Sequence, residues 1–136
     1  MTDTARATMA PPIDVRFKIA ALWTSLMFII AFVDIFAHLR ADVVTDVLAG
    51  KVAVFTVDQT FLIMTTIYVI IPSLMISLSL ILPPRANRWT NIIVAAVYAL
   101  TILGSCIGEV WIYYWLGSLI EVLLLMVIIR YAWKMP

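Results

Sequence analysis

Two carboxylates stand where carboxylates are costly. Glu121 lies in "GSLIEVLLLMVIIR" (117–130) and Asp34 in "FIIAFVDIFAHL" (28–39), both long apolar runs. An ionisable group in hydrocarbon costs about 2.5 to 3.5 kcal/mol on insertion scales, so it turns toward the protein interior or a wet cavity. Helical spacing puts Tyr114, Gly117 and Ser118 on one side of Glu121 and Leu124 and Leu125 on the other. That small, polar half-face should point inward. Asp34 shares a face with Ala31, Ala37 and His38, and the imidazole one turn on is its nearest candidate partner. With Tyr68 and Tyr98 from neighbouring runs, the candidate intramembrane polar site is Asp34, His38, Tyr68, Tyr98, Tyr114 and Glu121, and Glu109 is placed to line its outer mouth.

Three chemistries suit such a set. A buried glutamate exchanges a proton for a cationic or lipophilic solute in a carrier or binding component. Two carboxyls act as acid and base on a lipid or isoprenoid in a membrane enzyme, although Asp34 and Glu121 differ in depth by roughly 9 Å of helical rise. In a purely structural reading, Glu121 locks helices together through Tyr98, Thr101 or a hydroxyl of the second apolar run.

The elements that must position these residues follow from composition. The 136-residue chain is 65% hydrophobic and 12% charged, too apolar for one soluble core. A helix crosses about 30 Å of hydrocarbon with roughly 20 residues. Four segments qualify, at about 17–39, 60–82, 90–108 and 111–133, behind a polar, proline-interrupted lead over 1–16 that reads as disordered. The expected fold is therefore all-α: an integral-membrane, antiparallel four-helix bundle in one domain over 17–136, with a single external loop between helices 1 and 2. Pro83-Pro84 ends the second span and "RANRW" is expected as a tight polar turn.

Within the external loop, "ADVVTDVLAG" suits a short interfacial helix stopped by Gly50, and "KVAVFTV" an extended segment. Gly104 and Gly108 have GxxxG spacing and are expected to pack against another helix. Pro72 is a candidate kink, and the tryptophans, Trp23 included, read as interfacial anchors.

Charge placement predicts orientation. Arg6, Arg16, Lys18, Arg85, Arg88, Arg130 and Lys134 fall on one side of the bundle and only Arg40 and Lys51 on the other, which puts both termini in the cytoplasm. The net charge of +1 offers no field for nucleic acid. A lone Cys106 cannot form an internal disulfide or a dithiol redox centre, and a lone His38 excludes a bis-histidine haem within one chain. No metal site and no cofactor are expected.

"RANRWTNII" after the double proline, "LAGKV" in the loop, "PSLM" at Pro72, "YYW" at 113–115 ahead of Glu121, and the tail "YAWKMP" resemble a family of small bacterial four-helix membrane proteins with no assigned function. The resemblance covers nearly all of the chain after the lead and implies the same four-helix membrane fold; the expected location is the plasma (inner) membrane. It implies no activity. The small multidrug-resistance exporters are similar in size, span number and possession of one key glutamate, but here that glutamate is in the fourth span and the Lys/Arg asymmetry opposes dual insertion. The expected partners are the lipid bilayer, a small lipophilic or cationic ligand, and a second copy or membrane protein against the glycine face. A non-enzymatic role ranks ahead of catalysis.

Overall fold

The computed structural model describes residues 12–136. Residues 1–11 of the expected lead lie outside the described residues; Val15 and Arg16, assigned to it, are already helical. The order is α1 (Val15–Ala37), α2 (Ala41–Leu48), β1 (Lys51–Val52), β2 (Phe55–Thr56), α3 (Gln59–Ile81), α4 (Pro84–Ser105) and α5 (Ile112–Trp133). Asp14 starts α1, its Oδ1 accepting the Arg16 N–H at 2.9 Å, and Asp58 starts α3 by accepting from Phe61 N at 2.8 Å. α1, α3, α4 and α5 are each long and apolar enough to cross a membrane. Their outward faces carry large exposed apolar side chains such as Phe28, Leu74, Leu100 and Met126, as lipid requires. The protein is an all-α membrane bundle.

α2 follows Arg40 directly and stops at Gly50, whose φ of +74° only glycine adopts freely. β1 and β2 pair antiparallel, Lys51 opposite Thr56 and Val52 opposite Phe55. The expected polar turn at "RANRW" is not a turn. α4 starts six residues before the expected span, because Pro84 occupies its first turn, where a missing N–H costs nothing and the fixed φ favours a helix. Asn87 thereby becomes helical, and it is fully buried together with Asn91.

α1 packs against both α3 and α5, and α4 packs against α5, while α3 and α4 meet more sparsely than these pairs. The core lies toward the end where α1 and α4 begin: Ile19, Trp23 and Leu26 from α1, Met75 from α3, Ala95 and Tyr98 from α4, Leu125, Ile128 and Ala132 from α5. Beyond Leu26 on α1 and before Pro72 on α3 no residue is buried. The bundle is tight at this basic end and loose at the end bearing α2 and the hairpin, the loop end.

What joins α3 to α4 is polar. Pro72 has no N–H, so the Tyr68 carbonyl four residues earlier lacks its helical donor. The Tyr98 hydroxyl of α4 donates to that carbonyl. Pro83 likewise deprives the Ser79 carbonyl, and the Asn87 side-chain amide donates there at 2.6 Å. Asn91 Nδ2 donates to Asn87 Oδ1 at 2.6 Å, and Asn91 Oδ1 accepts the Trp23 indole N–H at 2.7 Å, which brings α1 into the same network. Trp23 is thus a fully buried donor and not an interfacial anchor.

An unpaired carbonyl out of water costs about 1–3 kcal/mol. Tyr98→Phe should lose about that much in equilibrium unfolding in detergent. In a Pro72→Ala background, where the restored backbone N–H can serve the Tyr68 carbonyl, the same change should cost far less. Equal losses in both backgrounds would refute the assignment.

Candidate functional site

The inward stripe of α5 is Ser118, Glu121, Leu125, Ile128 and Ala132. Its half nearer the loop end is set by Gly117. A methyl group there would lie 2.5 Å from Val33 Cγ2 of α1, so the absent side chain is what lets the two helices cross this closely. Glu121 follows one turn later, and Asp34 is the residue after Val33. The crossing therefore brings the two carboxylate-bearing segments of α1 and α5 together.

Glu121 is 4% exposed, and among the described residues no group donates a hydrogen bond to its carboxylate. The fully enclosed polar atoms without a partner are Arg88 Nε and the Tyr113 hydroxyl, and the Glu121 oxygens are not among them, so a little access reaches this carboxylate. The hydroxyls expected to lock it are committed elsewhere. Tyr98 serves the Tyr68 carbonyl; Thr101 Oγ1 lies 2.9 Å from the Tyr98 carbonyl and 2.7 Å from the Tyr68 hydroxyl.

The other candidates surround the looser half. Tyr68 stacks on Tyr98 with ring centres 4.6 Å apart, and Tyr98 meets Trp23 edge-on at 6.4 Å. Tyr114 donates to Ser105 Oγ at 2.9 Å. Asp34 is exposed yet lies within electrostatic range of Glu121, Tyr68 and Tyr114, so these four share one neighbourhood. His38 is not paired with the Asp34 carboxylate: its Nδ1 lies 2.8 Å from the Asp34 backbone carbonyl, a bond that caps the end of α1. Tyr98 belongs to the α3–α4 tie more than to the Glu121 surroundings.

Two expectations change. Gly108 lies beyond the end of α4 with φ +85°, in the turn to α5, and Gly104 has nothing within 4 Å of where a Cβ would be. Neither packs against another helix of this chain; the close-approach glycine is Gly117. Residues that sequence reasoning missed are Asn87, Ser79 and Trp23 as members of the buried network. The signal was the i, i+4 pair of asparagines at 87 and 91 directly after two prolines.

Glu109 does not line the intramembrane site. Its Oε2 accepts from Arg40 Nη1 at 3.0 Å, and its Oε1 accepts the Val110 and Trp111 N–H groups at 2.9 and 3.0 Å. Arg40 also holds Asp42 through two bonds, 2.6 and 3.2 Å, and its guanidinium lies 4.8 Å from the Trp111 ring. This clasp ties the end of α1 to the α4–α5 turn. Burial pushes the Glu109 carboxyl up, but the Trp111 amide, Arg40 and the Val110 amide outweigh it and hold the group below its ordinary value. Arg40, chiefly through Asp42, is held above its own, and Asp42 is held below.

The model of the family of unknown function DUF6326 matches residues 14–135, from the Asp14 cap of α1 to Met135 after α5. The chain belongs to that family. No curated protein and no solved structure matches it. In this DUF6326 chain, no cluster of three or more His, Cys, Asp or Glu side chains suited to a metal occurs among the described residues.

Gly117→Val should cost about 1–3 kcal/mol by overpacking and should be relieved by Val33→Ala in a thermal-unfolding cycle. No relief would show that the crossing is not the cause. The clasp carboxyls have folded values below their unfolded ones, so their contribution is complete above about pH 4.3 and disappears as pH falls through the depressed values. Glu109→Gln should remove about 1–3 kcal/mol at neutral pH and flatten the acid limb of stability against pH. An unchanged acid limb would count against the clasp.

Proposed function

We propose that this protein is a small multi-pass binding protein or carrier in which Glu121 holds either a proton or a cationic, lipophilic ligand. One observation carries the reading: Glu121 is buried in a membrane-spanning helix without a hydrogen-bond donor among the described residues. A carboxyl in hydrocarbon must be neutralised by something. The basic side chains of the spanning helices lie in their first or last two turns, and Arg40 is engaged by Asp42 and Glu109. The neutralising partner therefore comes from outside the chain, as a proton or a cation. Asp34, Tyr68 and Tyr114 lie in the loosely packed half, where a ligand would enter from the loop end. Arg16, Lys18, Arg85, Arg88, Arg130 and Lys134 at the opposite end support a cytoplasmic placement of the termini in the plasma membrane.

A second reading, an accessory subunit, is favoured by Gly104, whose open surface on α4 would admit another helix. Failure of assembly in Gly104→Leu with a silent Glu121→Gln would select it.

The purified protein should bind a permanently charged lipophilic cation such as tetraphenylphosphonium with release of about one proton, measured in weakly buffered detergent solution. Glu121→Gln should abolish both signals, and Asp34→Asn should weaken binding. Unaltered binding and proton release in Glu121→Gln would end the proposal.

A further inference from the structure

The basic end presents the converse of the Glu121 problem. Six cations, Arg16, Lys18, Arg85, Arg88, Arg130 and Lys134, gather there, and the one carboxylate among the described side chains at that end, Asp14, is occupied in capping α1. Among the described residues the ion pairs are those of Arg40 at the far end.

Arg88 is the most constrained of the six. Its guanidinium lies 4.9 Å from the Trp133 ring and 5.8 Å from the Trp89 ring, and the two indoles meet edge-on at 6.4 Å. Nε is enclosed without a partner, and the one hydrogen bond of the group, from Nη1 to the Met135 carbonyl, is long at 3.4 Å. A guanidinium has five donors in a planar fork suited to two oxygens of one phosphate. Here it lies against two indoles, and apart from the Nη1 contact its donors have no partner among the described residues.

Arg85, one turn earlier and exposed, borders a cavity of about 610 Å³ walled by Pro83, Pro84, Ala86 and Pro136. Trp89 and Trp133 are 54% and 58% exposed, and an indole half in contact with the outside marks the depth of lipid headgroups. Ile81 at the end of α3 and Ile93, one turn past Trp89 on α4, are exposed apolar side chains on which an acyl chain can lie.

We propose that Arg88 and Arg85, with the Trp89–Trp133 pair, form a site for the phosphate of an anionic phospholipid whose acyl chains run along α3 and α4. The site is independent of Glu121 and lies at the other end of the bundle. The lipid supplies anions to an end where, among the described side chains, Asp14 is the one carboxylate, and it bridges the start of α4 to the end of α5.

The test is lipid binding to the full chain in neutral detergent, read by native mass spectrometry and by thermal unfolding with added phosphatidylglycerol, phosphatidylcholine or inorganic phosphate. Phosphatidylglycerol should bind and raise the unfolding temperature, phosphatidylcholine should do so much less, and inorganic phosphate should have little effect. Arg88→Gln and Arg85→Gln should each weaken phosphatidylglycerol binding roughly fivefold, as expected for one basic contact to an anionic lipid. Arg88→Lys should recover only part of it, since an ammonium neither stacks nor forks. Lys51→Gln, at the opposite end, should bind like the wild type. Arg85→Gln guards against a folding defect, because its side chain is exposed. Equal binding of both lipids, undiminished binding in both arginine variants, or equal stabilisation by inorganic phosphate would each overturn the proposal.

Discussion

A proline inside a membrane helix removes a donor that lipid cannot replace, and the association of α3 with α4 depends on that deficit. The Tyr68 and Ser79 carbonyls lose their helical partners to Pro72 and Pro83, and α4 answers with the Tyr98 hydroxyl and the Asn87 amide. Direct packing between these two helices is sparse beside that of α4 with α5 or of α1 with its neighbours, so the polar ties set their registry. Asn91 extends the network to Trp23, which places α1 as well. Apolar packing then completes what hydrogen bonding has positioned. This ordering is apt for a bilayer, where lipid tails compete with side chains for apolar contact but offer nothing to a bare carbonyl.

The same commitment of donors isolates Glu121. Tyr98 and Thr101 are near in sequence pattern and chemically able to hold a carboxylate, yet both are engaged by α3. Polar balance along the bundle is consequently uneven. At the loop end Arg40 is paired with Asp42 and Glu109, the middle holds Asp34 and Glu121 without a basic side chain, and at the basic end the cations outnumber the carboxylates among the described residues.

Much of this was legible in the residues. Hydrocarbon thickness imposes length and apolarity on every span, so four helices and their antiparallel order follow from hydropathy alone. Gly117 and Ser118 beside Glu121 correctly indicated an inward face, because small residues are where a neighbouring helix can approach. The start of α4 was not legible from hydropathy, which registers where apolar residues begin, whereas Pro84 sets where helical geometry begins. Trp23 read as an anchor because the tryptophans mostly lie near the ends of spans; the acceptor that buries it, Asn91, is on another helix. The isolation of Glu121 was hidden for a related reason. It depends on where a tyrosine hydroxyl of α4 points, which is decided by a proline in α3.

The connection between α3 and α4 is a single extended stretch, Leu82 and Pro83, with no loop to separate the two helices. α3 released into a bilayer by itself would carry carbonyls with no donor in reach, whereas α4 emerging directly behind it brings both donors within the span of one hairpin. The two helices are therefore one polar unit: the carbonyls of α3 are fully served only with α4, as far as Tyr98, lying beside it.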